Sequence, residues 1–235
     1  MRSIARLAAI IRGDRPIATI VCIVFVIDLA FVLLHVGHIL STEKIWVVDA
    51  LRNPRFDLME EDNYAALFKI VLAGLLAAFL IRAYVISRQP VYAGAAAVLA
   101  ALVAIGGLRL HVWIGSLIGA RLGLQARFPE MAPHMGEALG VAAAGVLLLW
   151  LLLFAAARSA GLHAGVGVVL ALLFVIMGFF AGGIDLLHAL LFFESVWLVW
   201  ALQVIEETGE LATLTILCAV AAAAARRRHH DAPTA

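Results

Sequence analysis

The chain has 235 residues, a formal net charge of +1, 65% apolar residues and only 14% charged ones. A composition so poor in charge excludes a water-soluble domain, which could not hide this much Leu, Ala and Val from solvent. The near-neutral balance, with basic residues grouped at the ends of apolar runs and not in a stripe among aromatics, also argues against a nucleic-acid partner.

The apolar residues come in continuous runs of about 20, enough to cross roughly 30 Å of hydrocarbon at 1.5 Å per residue. They do not alternate as lipid-facing strands of a barrel would. The expected fold is an all-α, polytopic transmembrane bundle, one transmembrane domain over residues 1–235. Its solvent is the lipid bilayer.

In chain order, Arg2, Arg6, Arg12 and Arg15 precede the first apolar run, which continues without a small-residue cleavage site. This is expected to be an uncleaved first span, preceded by an amphipathic segment (residues 1–16) lying on the membrane surface. About six spans are expected, at 17–40, 65–86, 93–118, 138–157, 164–184 and 208–225. The stretch 186–205 is apolar and long enough for a seventh. Asp185, His188, Ser195, Gln203 and Glu206 fall within about 80° of one another on a helix at 100° per residue, so an amphipathic helix at the outer face is the preferred reading of that stretch.

With six alternating spans the N-terminus, the connections 87–90 and 158–163 and the tail 226–235 share one side. Counting Arg82 near the end of the second span, that side carries ten Lys and Arg residues and the opposite side five, namely Lys44, Arg52, Arg55, Arg121 and Arg127. The positive-inside rule then places both termini in the cytoplasm and the loop 41–63, with its acidic run Asp57, Glu60, Glu61 and Asp62, outside. Trp46, Trp113, Trp197 and Trp200, with Phe192 and Phe193, read as an aromatic belt at that outer boundary.

Ionisable residues inside spans carry the functional information, since Asp, Lys or Arg at a helix centre costs about 2.5–3.5 kcal/mol on the insertion scale. In the first span Asp28, His35 and His38 share one helix face. Asp185 and His188 end the fifth span, Glu206, Glu207 and Glu210 open the sixth, and Arg109, His111, His134 and Glu137 approach the same level. Imidazole and carboxylate pairs three apart suit zinc, iron or manganese, and helical bundles build metal sites this way. The candidate ligands are His35, His38, Asp185, His188, Glu206 and Glu210, with Asp28 as a candidate partner. The spacing alone is unspecific: His35 and His38 also fit interfacial residues bonded to backbone, and the glutamates fit carboxylates at a helix N-terminus. The motifs for a serine nucleophile (GxSxG) and for phosphate binding (GxxxxGK[ST] and GxGxxG) are absent from the sequence. Cys22 and Cys218 lie in apolar runs as small hydrophobes, with no CxxC pair.

Phe56, Asp57, Leu58, Glu61 and Asn63 before the second span, Gly182, Gly183 and Asp185, and Ile205, Glu206, Glu207, Gly209 and Glu210 occur in an order that resembles a set of uncharacterised bacterial multi-pass inner-membrane proteins. The resemblance implies the six-span architecture and an inner-membrane location, and it implies no activity. The third span departs from that set: Ile105 and Gly106 stand where acids are expected, and His111 is followed by Val112 instead of Glu.

Three functional readings stay open at this level. The first is an outer-face His/carboxylate site for a divalent metal or a small polar ligand, which becomes an enzyme only if a metal keeps an open position for water. The second is an accessory subunit packing through its small residues against other membrane subunits or a second copy of itself. The third is a proton or ion pathway through Asp28 and the histidines.

Overall fold

In the computed structural model the apolar runs are helices whose ends follow from local chemistry. The structure describes residues 14–43, 45, 48–57, 63–108, 110–127, 132–184, 187 and 196–226. The N-terminal amphipathic segment, most of the tail, Trp46, Arg109, Asp185, His188, Phe192, Phe193 and most of 186–195 lie outside them.

Helix α1 (Arg15–Thr42) starts where the Asp14 carboxylate accepts the Ile17 N–H at 3.3 Å and Pro16 occupies the first turn, a position where a missing N–H costs nothing. Helix α2 (Tyr64–Ser87) is capped by Asn63, whose side-chain oxygen accepts the Ala66 N–H at 2.6 Å. It ends on Arg88 in the left-handed region (φ 56°), and α3 (Pro90–Gly107) begins two residues later. Helices α4 (Leu110–Leu122), α5 (Ala132–Ala157) and α6 (Gly161–Gly178, finishing in a π-helical turn Phe179–Ile184) follow, and α7 (Val196–Arg226) closes the chain. Among the described residues there is no strand. The protein is an all-α, polytopic membrane helix bundle, with five helices long and apolar enough to cross a bilayer.

Two boundaries differ from the sequence-based expectation. The third span is delivered in two pieces, α3 and α4, interrupted at Leu108 after the Gly106–Gly107 pair, where two residues of poor helix propensity fall together. The last helix begins at Val196 and runs unbroken through Glu206, Glu207 and Glu210, so residues 196–205 are its first turns and not a separate amphipathic helix. Glutamate is a good helix former, and two of these carboxylates meet a lysine on α2, so their charge gives the helix no reason to stop.

The packing register shows which ends lie together. Arg226 pairs with Asp14 at 2.7 Å, and Arg82 on α2 donates to the Ala225 carbonyl at 3.4 Å. The connections after α2 and α5 are bonded to each other: Ser159 Oγ accepts the Val91 N–H at 3.1 Å, Gln89 Oε1 accepts the Ala160 N–H at 2.9 Å, and Tyr92 Oη meets His163 Nδ1 at 2.8 Å. The connections 87–90 and 158–163 therefore share a face, as the alternating spans require. That face, with Asp14 and Arg226, is the terminal face; the opposite one, carrying residues 48–57, is the loop face.

Helix α7 is the centre, packed on α1, α2 and α6, and Leu211, Leu217 and Ala221 on it are fully buried against Leu72, Leu76 and Leu80 of α2 and Leu170 of α6. Outward, Ile23, Val26, Leu29 and Leu33 of α1, Ile70 and Val71 of α2 and Val146 of α5 stand exposed. Such a belt is stable only in lipid, because the helices satisfy their own backbone groups and leave apolar side chains to meet acyl chains. Two helices approach very closely at α4 and α5, where a Cβ on Gly115 would stand 2.5 Å from the Gly136 carbonyl carbon and the Glu137 nitrogen. Only glycine lets the two backbones come so near. Gly94 likewise faces Ala155 within the chain, so part of the small-residue stripe that could have served a partner is used internally.

Candidate functional site

The polar groups of the membrane interior form a seam between α1, α2 and α7, at three levels from the loop face inward. At the first level, His35 and His38 stand one helical turn apart on the face of α1 that also carries Ile17, Val21, Val24 and Asp28. His35 is fully buried and His38 is 9% exposed. Two short 3₁₀ turns, Asp49–Arg52 and Pro54–Phe56, fold back over this end of α1, and Gly37 leaves room for the Leu51 side chain. Asn53 fixes the bend between the turns by accepting the Arg55 N–H at 3.0 Å, and Arg52 donates to the Ser41 carbonyl at 3.3 Å.

The consequence is a fixed imidazole facing a carboxylate. His38 Nδ1 lies 2.8 Å from the Leu51 carbonyl; a carbonyl only accepts, so Nδ1 carries the hydrogen and Nε2 of the neutral ring presents a lone pair. Nε2 faces Asp57 Oδ2 at 3.8 Å, and His35 Nδ1 faces Asp57 Oδ1 at 3.6 Å. Both separations exceed a hydrogen bond. Asp57 is a quarter exposed, which leaves the cluster reachable from the loop face.

At the second level Lys69 of α2 reaches two carboxylates of α7, Glu207 at 2.8 Å and Glu210 at 2.7 Å. Glu207 and Glu210 are three apart and so share a face, and Gly209 between them makes space for the Phe180 ring from the π-helical turn. One ammonium thus holds two carboxylates. At the third level Asp28, midway along α1 and 4% exposed, accepts the Thr215 hydroxyl at 2.9 Å through Oδ2. Its Oδ1 is buried and meets no hydrogen-bond partner among the described residues. Cys218, one turn beyond Thr215, points its thiol to the Leu72 carbonyl at 3.3 Å.

Of the residues singled out from sequence, His35 and His38 are brought together, with Asp57 as a third member. Glu210 faces Lys69, Asp28 faces Thr215, and Glu206 stands half-buried on α7. Asp185 and His188 lie outside the described residues, as do the side chains of His111 and His134. Glu137 is half-buried at the start of α5, which packs there on α4. Among the described residues no three His, Cys, Asp or Glu side chains close on one point as a ready ion site. Sequence reasoning passed over Lys69, although a lysine inside the second span is the kind of signal that marks a buried ion pair, and over Thr215, whose role shows only once α1 and α7 are packed.

The fold and the seam define a class, a multi-pass membrane helix bundle with a polar interior reaching from one face to its middle. Comparison with known proteins adds no family to that: no family model, no curated protein and no solved structure matches this chain.

Proposed function

We propose that the protein is a membrane-embedded binding protein whose His35–His38–Asp57 cluster takes a small cation from the loop face, a divalent metal ion being the chemistry that fits best. The observation that carries this is the orientation of His38. With Nδ1 committed to the Leu51 carbonyl, its Nε2 lone pair and an Asp57 oxygen are two acceptors 3.8 Å apart, an arrangement that favours positive charge between them. Ligand atoms of a tetrahedral ion bound at about 2.1 Å stand roughly 3.4 Å apart, a few tenths of an ångström closer than His38 Nε2 and Asp57 Oδ2 stand here.

The excess of basic residues on the terminal side supports an outward loop face, and the resemblance to bacterial inner-membrane proteins supports that membrane. Calorimetric titration of the purified protein with zinc, cobalt and manganese ions tests the reading. One ion per chain bound by the wild type, with heat lost in His35→Ala, is expected. Stoichiometric binding that His35→Ala leaves intact, or no binding by the wild type, would remove it.

A further inference from the structure

The deepest polar group of the seam has no counterpart in the cation site. Asp28 sits at the middle of α1, nearly closed off from solvent, with one oxygen on the Thr215 hydroxyl and the other meeting no partner among the described residues. Among the described residues, the groups around it offer no compensating charge. On α1 the titratable residue on the same face is His35, seven residues on, or about 10 Å of helix rise; Cys22, six residues before Asp28, is exposed. On α7 are Thr215, Cys218 with its thiol turned to Leu72, and toward the loop face Glu210 and Glu207; on α2 is Lys69, held by those two glutamates. Among the described residues no cation forms an ion pair with Asp28. A carboxylate so placed has one neutral donor for its two oxygens in a low dielectric, which leaves a proton as the partner its second oxygen can take.

The seam is also one-sided. From Asp28 toward the terminal face the facing residues are Val24, Val21 and Ile17 on α1 and Leu217, Val220, Ala221 and Ala224 on α7, all apolar. Toward the loop face Glu210 precedes Thr215 by five residues, about 7.5 Å of rise, and Thr208 adds a buried hydroxyl without a partner among the described residues. We propose that Asp28 is a mid-membrane proton-binding site that exchanges its proton with the loop face alone, by way of the Lys69–Glu207–Glu210 triad. The proton moves between carboxyl oxygens without any change of oxidation state. This inference does not depend on the cation site.

Dicyclohexylcarbodiimide, an apolar reagent that modifies protonated carboxyl groups in membranes, tests it with the full-length protein in native membranes at neutral pH. Peptide mapping by mass spectrometry is expected to find the adduct on Asp28, lost in Asp28→Asn and retained in Thr215→Val. Infrared difference spectra between acid and alkaline buffer should carry a protonated-carboxyl band that Asp28→Asn removes, a readout that does not need the reagent to reach the site. The Glu210→Gln variant should keep the Asp28 adduct while deuterium exchange at that band slows at least tenfold. An adduct confined to Glu207 or Glu210 with no infrared band assignable to Asp28 would overturn the proposal, and so would Asp28 exchange unaffected by Glu210→Gln.

Discussion

Replacing Lys69 with methionine is expected to be the most damaging single change in the bundle. Methionine keeps the length and the apolar stem of lysine, so packing between α2 and α7 survives, but Glu207 and Glu210 lose the ammonium that holds both at 2.7–2.8 Å. Glu207 is buried and Glu210 half-buried. Breaking a buried ion pair by removing one partner costs about 3–5 kcal/mol, because a charge is left without compensation. Thermal unfolding in detergent, followed by helix signal, should show a large fall in midpoint. The same principle predicts recovery when the carboxylates are removed too: Lys69→Met with Glu207→Leu and Glu210→Leu should unfold near the wild-type temperature, since an apolar replacement of a whole buried ion cluster is often neutral. Equal destabilisation in the single and the triple variant would show that Lys69 acts by packing and not by charge.

The second large effect belongs to Asp57. It contributes the anionic part of the loop-face cluster, and it faces both imidazoles, His35 at 3.6 Å and His38 at 3.8 Å. Asparagine has the same shape without the charge. Changing even groups that only orient metal ligands typically costs about 10–100-fold in affinity, so Asp57→Asn should lower cation affinity by at least about 100-fold. The loss should leave the melting temperature almost unchanged, because Asp57 lies on a partly exposed turn outside the helices. Leu51 supplies only its backbone carbonyl to His38, so Leu51→Met is the matching control and should keep affinity. Loss of affinity in Leu51→Met as large as that in Asp57→Asn would mean that the loop conformation, and not the carboxylate, governs binding.

Much of the architecture was legible in the sequence because lipid imposes a simple length rule. Runs of about 20 apolar residues become helices, and the alternation of spans put 87–90 and 158–163 on one face, where Gln89 and Ser159 bond the two connections together. The division of the third span at Leu108 was less legible, since Gly106 and Gly107 lie in an otherwise continuous apolar run. The start of α7 was misplaced because Glu206, Glu207 and Glu210 look like a helix beginning when read alone. They become interior residues only when Lys69, more than 130 positions earlier, is seen beside two of them. The candidate site followed the same pattern. Periodicity put Asp28, His35 and His38 on one face of α1, yet their partners Thr215, Leu51 and Asp57 come from other segments, and no spacing rule reaches across such distances.

Both the cation site and the proton site require that the seam open at the face carrying residues 48–57, opposite the face that holds Asp14 and Arg226. Single cysteines at two exposed positions, Asn53→Cys and Arg158→Cys, test that arrangement in a chain whose Cys22 and Cys218 are replaced by alanine. A membrane-impermeant maleimide applied to intact cells is expected to label Asn53→Cys at once and Arg158→Cys only after the membrane is opened. Labelling of both from the same side of the sealed membrane would contradict the arrangement, because the His35–His38–Asp57 cluster and the chain ends would then share a face.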